Sequence, residues 1–185
     1  MIENTPTPSQ KELKEKEEIK KLFLLQLSEV IYLEHKLYLT FQEITRQAHC
    51  LDLKLAMEEH EVEISAHHRR LKEIAGMISF VHETDMQWPV FTVFSDELHN
   101  ITGLQFQEPK ARDLSLITLT KKIKSYEIAC YHNLKYLASL LDMDAVFQLL
   151  TENFDEKAET HALLHELAVE CYKNPVMYPD ASSFE

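Results

Sequence analysis

The chain has 185 residues, with 19 Lys and Arg against 31 Asp and Glu, so its net charge is −12 with His neutral. That length predicts one domain large enough to bury a core without disulfides or a structural metal. Only 2 glycines occur, which disfavours all-β and phosphate-loop folds, and the acidic balance repels phosphate backbones and anionic lipid, so no nucleic acid and no membrane surface is expected as a partner.

Residues 1–8 are polar, contain Pro6 and Pro8, and read as a disordered tail without the basic-then-apolar profile of a leader. Ser9 and Glu12 have capping-box spacing, and residues 12–18 read as a solvated, charge-laced helix start. Phe23, Leu27, Val30, Leu37 and Phe41 then step by threes and fours, which predicts a long helix over 10–48. Asp52 is the expected N-cap of a second helix with the stripe Leu53, Ala56, Leu71, Ile74 and Ile78. The short connection near His49 predicts that these two helices are antiparallel neighbours.

Residues 79–111 carry Trp88-Pro89, Val90-Phe91, Gly103 and Pro109, and read as a long crossover with one helical turn begun at Ser95–Glu97, in which Trp88–Phe91 covers the bundle or, as the alternative, forms a dimer contact. Periodicity resumes after Asp113 with Ile117, Ile123, Cys130, Leu134, Leu137 and Leu141. Asp142 or Asp144 is the expected cap of a further helix with Val146, Leu150, Phe154, Leu164, Ala168 and Cys171, and 174–185 reads as a tail. The expectation is therefore all-α: a ferritin-like antiparallel four-helix bundle over 9–173, two helical hairpins joined by a long crossover. No apolar run reaches the ~18–20 residues of a membrane span. The three cysteines, an odd number without a CxxC pair, read as buried thiols of a cytoplasmic protein.

The informative residues are the polar ones on the apolar stripes. Glu34 interrupts the first helix, His60, Glu63 and His67 the second, Glu127 the third, and Lys157 and His161, with Glu156 beside them, the fourth. A buried ionised carboxylate without a partner costs several kcal/mol, so each needs a compensating group. Measured from the turns, Glu34 lies level with His67, and Glu127 level with about residue 159. The hairpins also match at a fixed offset, since 127 − 34 = 93 and 156 − 63 = 93; His67 then corresponds to Thr160, one place short of His161. A glutamate on one helix and a glutamate near a histidine on the next, repeated twice, is how di-iron carboxylate bundles place ligands. The spacing departs from the usual Glu-x-x-His, because Glu63 and His67 are four apart, which still keeps them on one face.

The segments LFLLQLSEVIYLEHKL, AMEEHEVEISAHHRRL, KIKSYEIACYHNLKYLASLL and LLTENFDEKAETHALLHELA resemble the four helices of the YciE/YciF stress-protein family of the ferritin-like superfamily. The resemblance implies a dimeric bundle tied to bacterial stress responses, with its metal site at Glu34, His60, Glu63, Glu127 and the Glu156–His161 region. It departs from the family at Lys124, where a carboxylate is usual, and at Glu156-Lys157, where paired glutamates are usual. The crossover also lacks the family's cysteine-containing stretch.

Two functions follow. In the first, Glu34, His60, Glu63, His67, Glu127, Glu156 and His161 bind one or two iron or manganese ions. Peroxide or oxygen is then reduced there, with Tyr38, Tyr126 or Tyr131 as electron donors. In the second, Lys124 and Lys157 pair with the glutamates and close a metal-free site in a non-enzymatic stress or interaction protein. The discriminating question is whether these lysines point inward or snorkel to solvent.

Overall fold

A computed structural model describes residues 10–81, 88–104 and 106–173. Five helices occur in the order α1 (Gln10–Gln47), α2 (Leu51–Met77), α3 (Pro89–Gly103), α4 (Pro109–Leu140) and α5 (Asp144–Lys173), and there is no strand among the described residues. α1 packs on α2 and α4, and α5 packs on α2 and α4, which closes a four-helix bundle. α3 lies against α1 and α4. The expected tails, 1–8 and 174–185, lie outside the described residues, as does the Ser9 cap.

The crossover differs from expectation: a fifteen-residue helix replaces the single turn expected at Ser95–Glu97. Pro89 and Gly103, read as interruptions, instead open and close that helix. Proline fits a first turn because its missing N–H has no helical partner there, and glycine suits a helix end. Phe94, Leu98 and Ile101 are its buried face. Pro109 likewise opens α4, four residues before the expected start.

The caps differ too. Cys50, not Asp52, is the N-cap of α2, and its side chain makes no capping bond. Instead the buried carboxylate of Asp113 on α4 accepts the backbone N–H of His49 at 2.8 Å and of Cys50 at 2.6 Å, pinning the α1–α2 turn to the second hairpin. Asp142 does not cap α5 but takes a left-handed conformation (φ 56°) in the α4–α5 turn, one that short polar side chains tolerate.

The core is split in two. Near the α1–α2 turn, Leu37, Phe41, Leu53, Met57, Ile64, Leu116, Ile123 and Leu164 pack with the face of α3. At the other end Phe23, Leu27, Val30, Leu71, Ile74, Leu134, Val146 and Leu150 pack together. Glu34 on α1, His67 on α2, Lys124 and Glu127 on α4 and Lys157 on α5 fall between these two clusters, while His60 and Glu63 lie beside Ile64 of the first. Burial of apolar surface at ~25 cal/mol per Å² drives both halves; the layer between them obeys electrostatics.

Candidate functional site: a buried layer of charge

Both lysines point inward. Lys124 and Lys157 are 0% exposed, and neither snorkels to solvent. The Lys157 ammonium donates to Glu34 Oε1 at 2.7 Å and Glu127 Oε1 at 2.9 Å, and lies 3.2 Å from His67 Nδ1. An ammonium has three N–H donors, so all three have partners. Lys124 donates to Glu127 Oε2 at 2.8 Å and stands 4.6 Å over the Phe41 ring, a cation–π contact. Two carboxylates, Glu34 and Glu127, thus face two ammonium groups, and the formal charge of the buried centre is zero.

The network continues outward. Tyr131 donates its hydroxyl to Glu34 at 2.7 Å and accepts from Asn153 at 3.1 Å. Arg70 donates to Asn153 at 2.9 Å and forks onto Glu156 at 2.8 and 2.6 Å. With Lys157 donating to its Nδ1, His67 carries its proton on Nε2, which lies 2.8 Å from Glu156. That tautomer follows from the partners. His60 Nδ1 meets Glu63 at 2.8 Å, and Thr160, the counterpart of His67 at the offset of 93, donates to the same Glu63 oxygen at 3.1 Å.

The electrostatics follow from burial and neighbours. Burial would raise Glu34, but Lys157, His67 and Lys124 together hold it well below the ordinary carboxylate value. Burial would likewise lower Lys157, yet Glu127 and Glu34 hold it above its ordinary value. Lys124 behaves oppositely: burial dominates, Lys157 adds repulsion, and the group falls to about 8 despite Glu127 and Glu34. Burial and both lysine charges push His60 well below 6.5, so it is neutral. Burial, with Glu34 beside it, raises Tyr131 well above its ordinary value.

The structure therefore brings Glu34, His67 and Glu127 to one centre and sets His60, Glu63 and Glu156 around it. Glu63 and Glu156 are partly open, with side chains 38% and 31% exposed. His161 lies apart, its Nε2 3.3 Å from Ser125 on the outside of α4 and α5. Glu34 and His67 are level, 3.8 Å apart, as the turn count predicts. Arg70 reaches Glu156 and Glu152 with its side chain only 13% exposed. Asn153 and Tyr131 belong to the same network. Their signal was burial at stripe spacing, which reads as packing until a partner is seen. Of the other tyrosines, Tyr126 donates to Glu29 and Tyr38 packs against the core.

These residues do not fit a two-cation centre as arranged. A divalent ion between Glu34 and Glu127 would meet the Lys157 ammonium already bridging them, with Lys124 on the second oxygen of Glu127. Among the described residues no three His, Cys, Asp or Glu side chains converge as a ligand set. The space bordered by Val30, Leu33, Glu34, Glu127, Cys130 and Tyr131 has no room for a water molecule. Among the described residues no helix is long and apolar enough to cross a membrane.

The chain is similar to known proteins along most of its length. A family model described as a domain of unknown function (DUF892) matches residues 18–176. Protein YciF of Escherichia coli strain K12 is 24% identical over 151 residues, which cover 82% of this chain and 90% of that protein. The crystal structure of the E. coli stress protein YciF aligns with a TM-score of 0.80 at 23% identity, over 84% of this chain and 98% of that one. YcfI of Rhodopseudomonas palustris, to which a structural role is ascribed, aligns at 0.74 and 18% identity over 89% and 97% of the two chains. Five helices in a ferritin-like arrangement and a family match that reaches all five lead to one conclusion: the chain belongs to the YciE/YciF family.

Proposed function

We propose that this chain is a non-enzymatic, stress-associated structural bundle in which Lys–Glu pairs take the electrostatic place of a di-metal centre. The observation that carries this reading is Lys157, whose three donors are all engaged by Glu34, Glu127 and His67 at zero exposure. Iron or manganese at this layer would have to displace the Lys157 ammonium from both carboxylates, leaving that cation buried without its partners. The stress association rests on the relatedness to the E. coli stress protein YciF. On this reading the centre turns over neither peroxide nor oxygen, and the protein acts as a cytoplasmic homodimer through its surface.

Elemental mass spectrometry on untagged protein after incubation with ferrous or manganous ions tests it. Substoichiometric metal is expected for the native chain. The double variant Lys124→Glu, Lys157→Glu is expected to gain metal affinity, because it restores four carboxylates without cations. One or two ions per native chain, lost in Glu34→Ala and Glu127→Ala, would overturn the proposal in favour of iron or manganese chemistry. Light scattering is expected to give twice the 21.7 kDa chain mass.

A further inference from the structure

Away from the charged layer, two of the three thiols meet. Cys50 begins α2 at the α1–α2 turn, and Cys171 lies in the last turn of α5. Their Sγ atoms are 3.3 Å apart, both are 0% exposed, and both belong to the core half nearest that turn. A disulfide needs the sulfurs at about 2.05 Å, so an approach of about 1.3 Å suffices. One side of the pair is fixed, because Asp113 holds the backbone of residues 49 and 50 against α4. The other side sits at a helix end, where fraying is easiest and where both the approach and the access of an oxidant can be supplied by local opening.

We propose that Cys50 and Cys171 are an oxidation site, converted by a hydroperoxide into a disulfide that ties the first hairpin to the end of the second. One thiol attacks the O–O bond, becoming a sulfenic acid and releasing an alcohol, or water from hydrogen peroxide. The second thiol attacks that sulfur and releases water. Two thiols and one hydroperoxide thus give one disulfide, one alcohol and one water, with two electrons passing from sulfur to oxygen. In the reduced chain the covalent path between the hairpins runs through the crossover and α3. The disulfide adds a second path across 121 residues of sequence. Closing so long a loop restricts the unfolded chain far more than the folded one.

Cys130 stands outside this pair. It lies on α4 near Tyr126 and Glu29, and burial and the Glu29 charge raise its thiol to about 12. It is the internal control.

The test is to treat the native full-length protein with hydrogen peroxide, block remaining thiols with iodoacetamide, and map peptides without reduction. The expected product links Cys50 to Cys171, leaves Cys130 alkylated, and raises Tm by about 5–15 °C until dithiothreitol is added. Cys171→Ser is expected to abolish the shift and Cys130→Ser to keep it. Peptide mapping of the native chain decides the matter even where a variant fails to fold. Cys50 and Cys171 both alkylatable after peroxide and denaturation, either one recovered as sulfinic acid, or a Cys130-linked dimer as the product would overturn the proposal.

Discussion

The centre and the rim of the polar layer contain the same kinds of group, but burial gives them different consequences. At the centre Glu34, Glu127, Lys124 and Lys157 are at most 3% exposed, and every partner is another side chain of the bundle. At the rim Glu63, Glu152 and Glu156 keep part of their surface in water, with Arg70 held between Glu152 and Glu156. Water can replace a lost partner at the rim and cannot at the centre. A further contrast lies inside the centre. Lys157 has three partners and is held in its charged form, whereas Lys124 has one carboxylate partner and a ring, and gives up its proton more readily.

The sharpest way to break the contrast is Lys157→Met. It leaves Glu34 and Glu127 without their shared cation and is expected to cost about 3–5 kcal/mol in urea denaturation. Adding Glu34→Gln should recover part of the loss, since one uncompensated carboxylate is removed; strict additivity of the two changes would show that the pair does not interact.

Lys124 supplies the next effect, through pH. Its folded value of about 8 lies below its ordinary 10.5, so between those values the unfolded chain binds more protons than the folded one. Stability from this group therefore rises as pH climbs through that window. Lys157, raised in the fold, acts with the opposite sign and only above 10.5, where its contribution is lost. Denaturation curves from pH 8 to 10 should show a rise in the native chain that Lys124→Met lacks. An equal rise in both would assign it to other groups.

On the rim, Arg70→Ala removes a forked pair to Glu156 and a contact with Glu152, both partly open to water, and a bond to the buried Asn153. A loss of about 1–2 kcal/mol is expected, well below that of Lys157→Met. The smallest effect belongs to Lys16 and Asp142, a pair 2.5 Å apart with side chains 55% and 78% exposed. Lys16→Ala is expected to change stability by at most about 0.5 kcal/mol, and less at high salt. If Arg70→Ala matched Lys157→Met, the division into centre and rim would fail.

The sequence alone carries the four bundle helices, their antiparallel pairing and the layer where polarity interrupts the core. Apolar spacing of three and four can only be buried by a neighbour, and chain length between turns fixes height, which is why Glu34 and His67 are level. It did not determine α3, because proline and glycine mark helix ends as readily as loops, and periodicity in a short segment gives no sign of which. It named Lys124 and Lys157 as the residues that matter but left their direction open, since a long stem reaches either solvent or core. Only the packing of α1, α2, α4 and α5 decided that, by placing two carboxylates where each ammonium loses its water. The same holds for the Arg70–Asn153 and Cys50–Cys171 contacts, whose partners lie 83 and 121 residues apart in sequence. Spacing along a chain fixes what one helix presents; what it meets is settled by the helices around it.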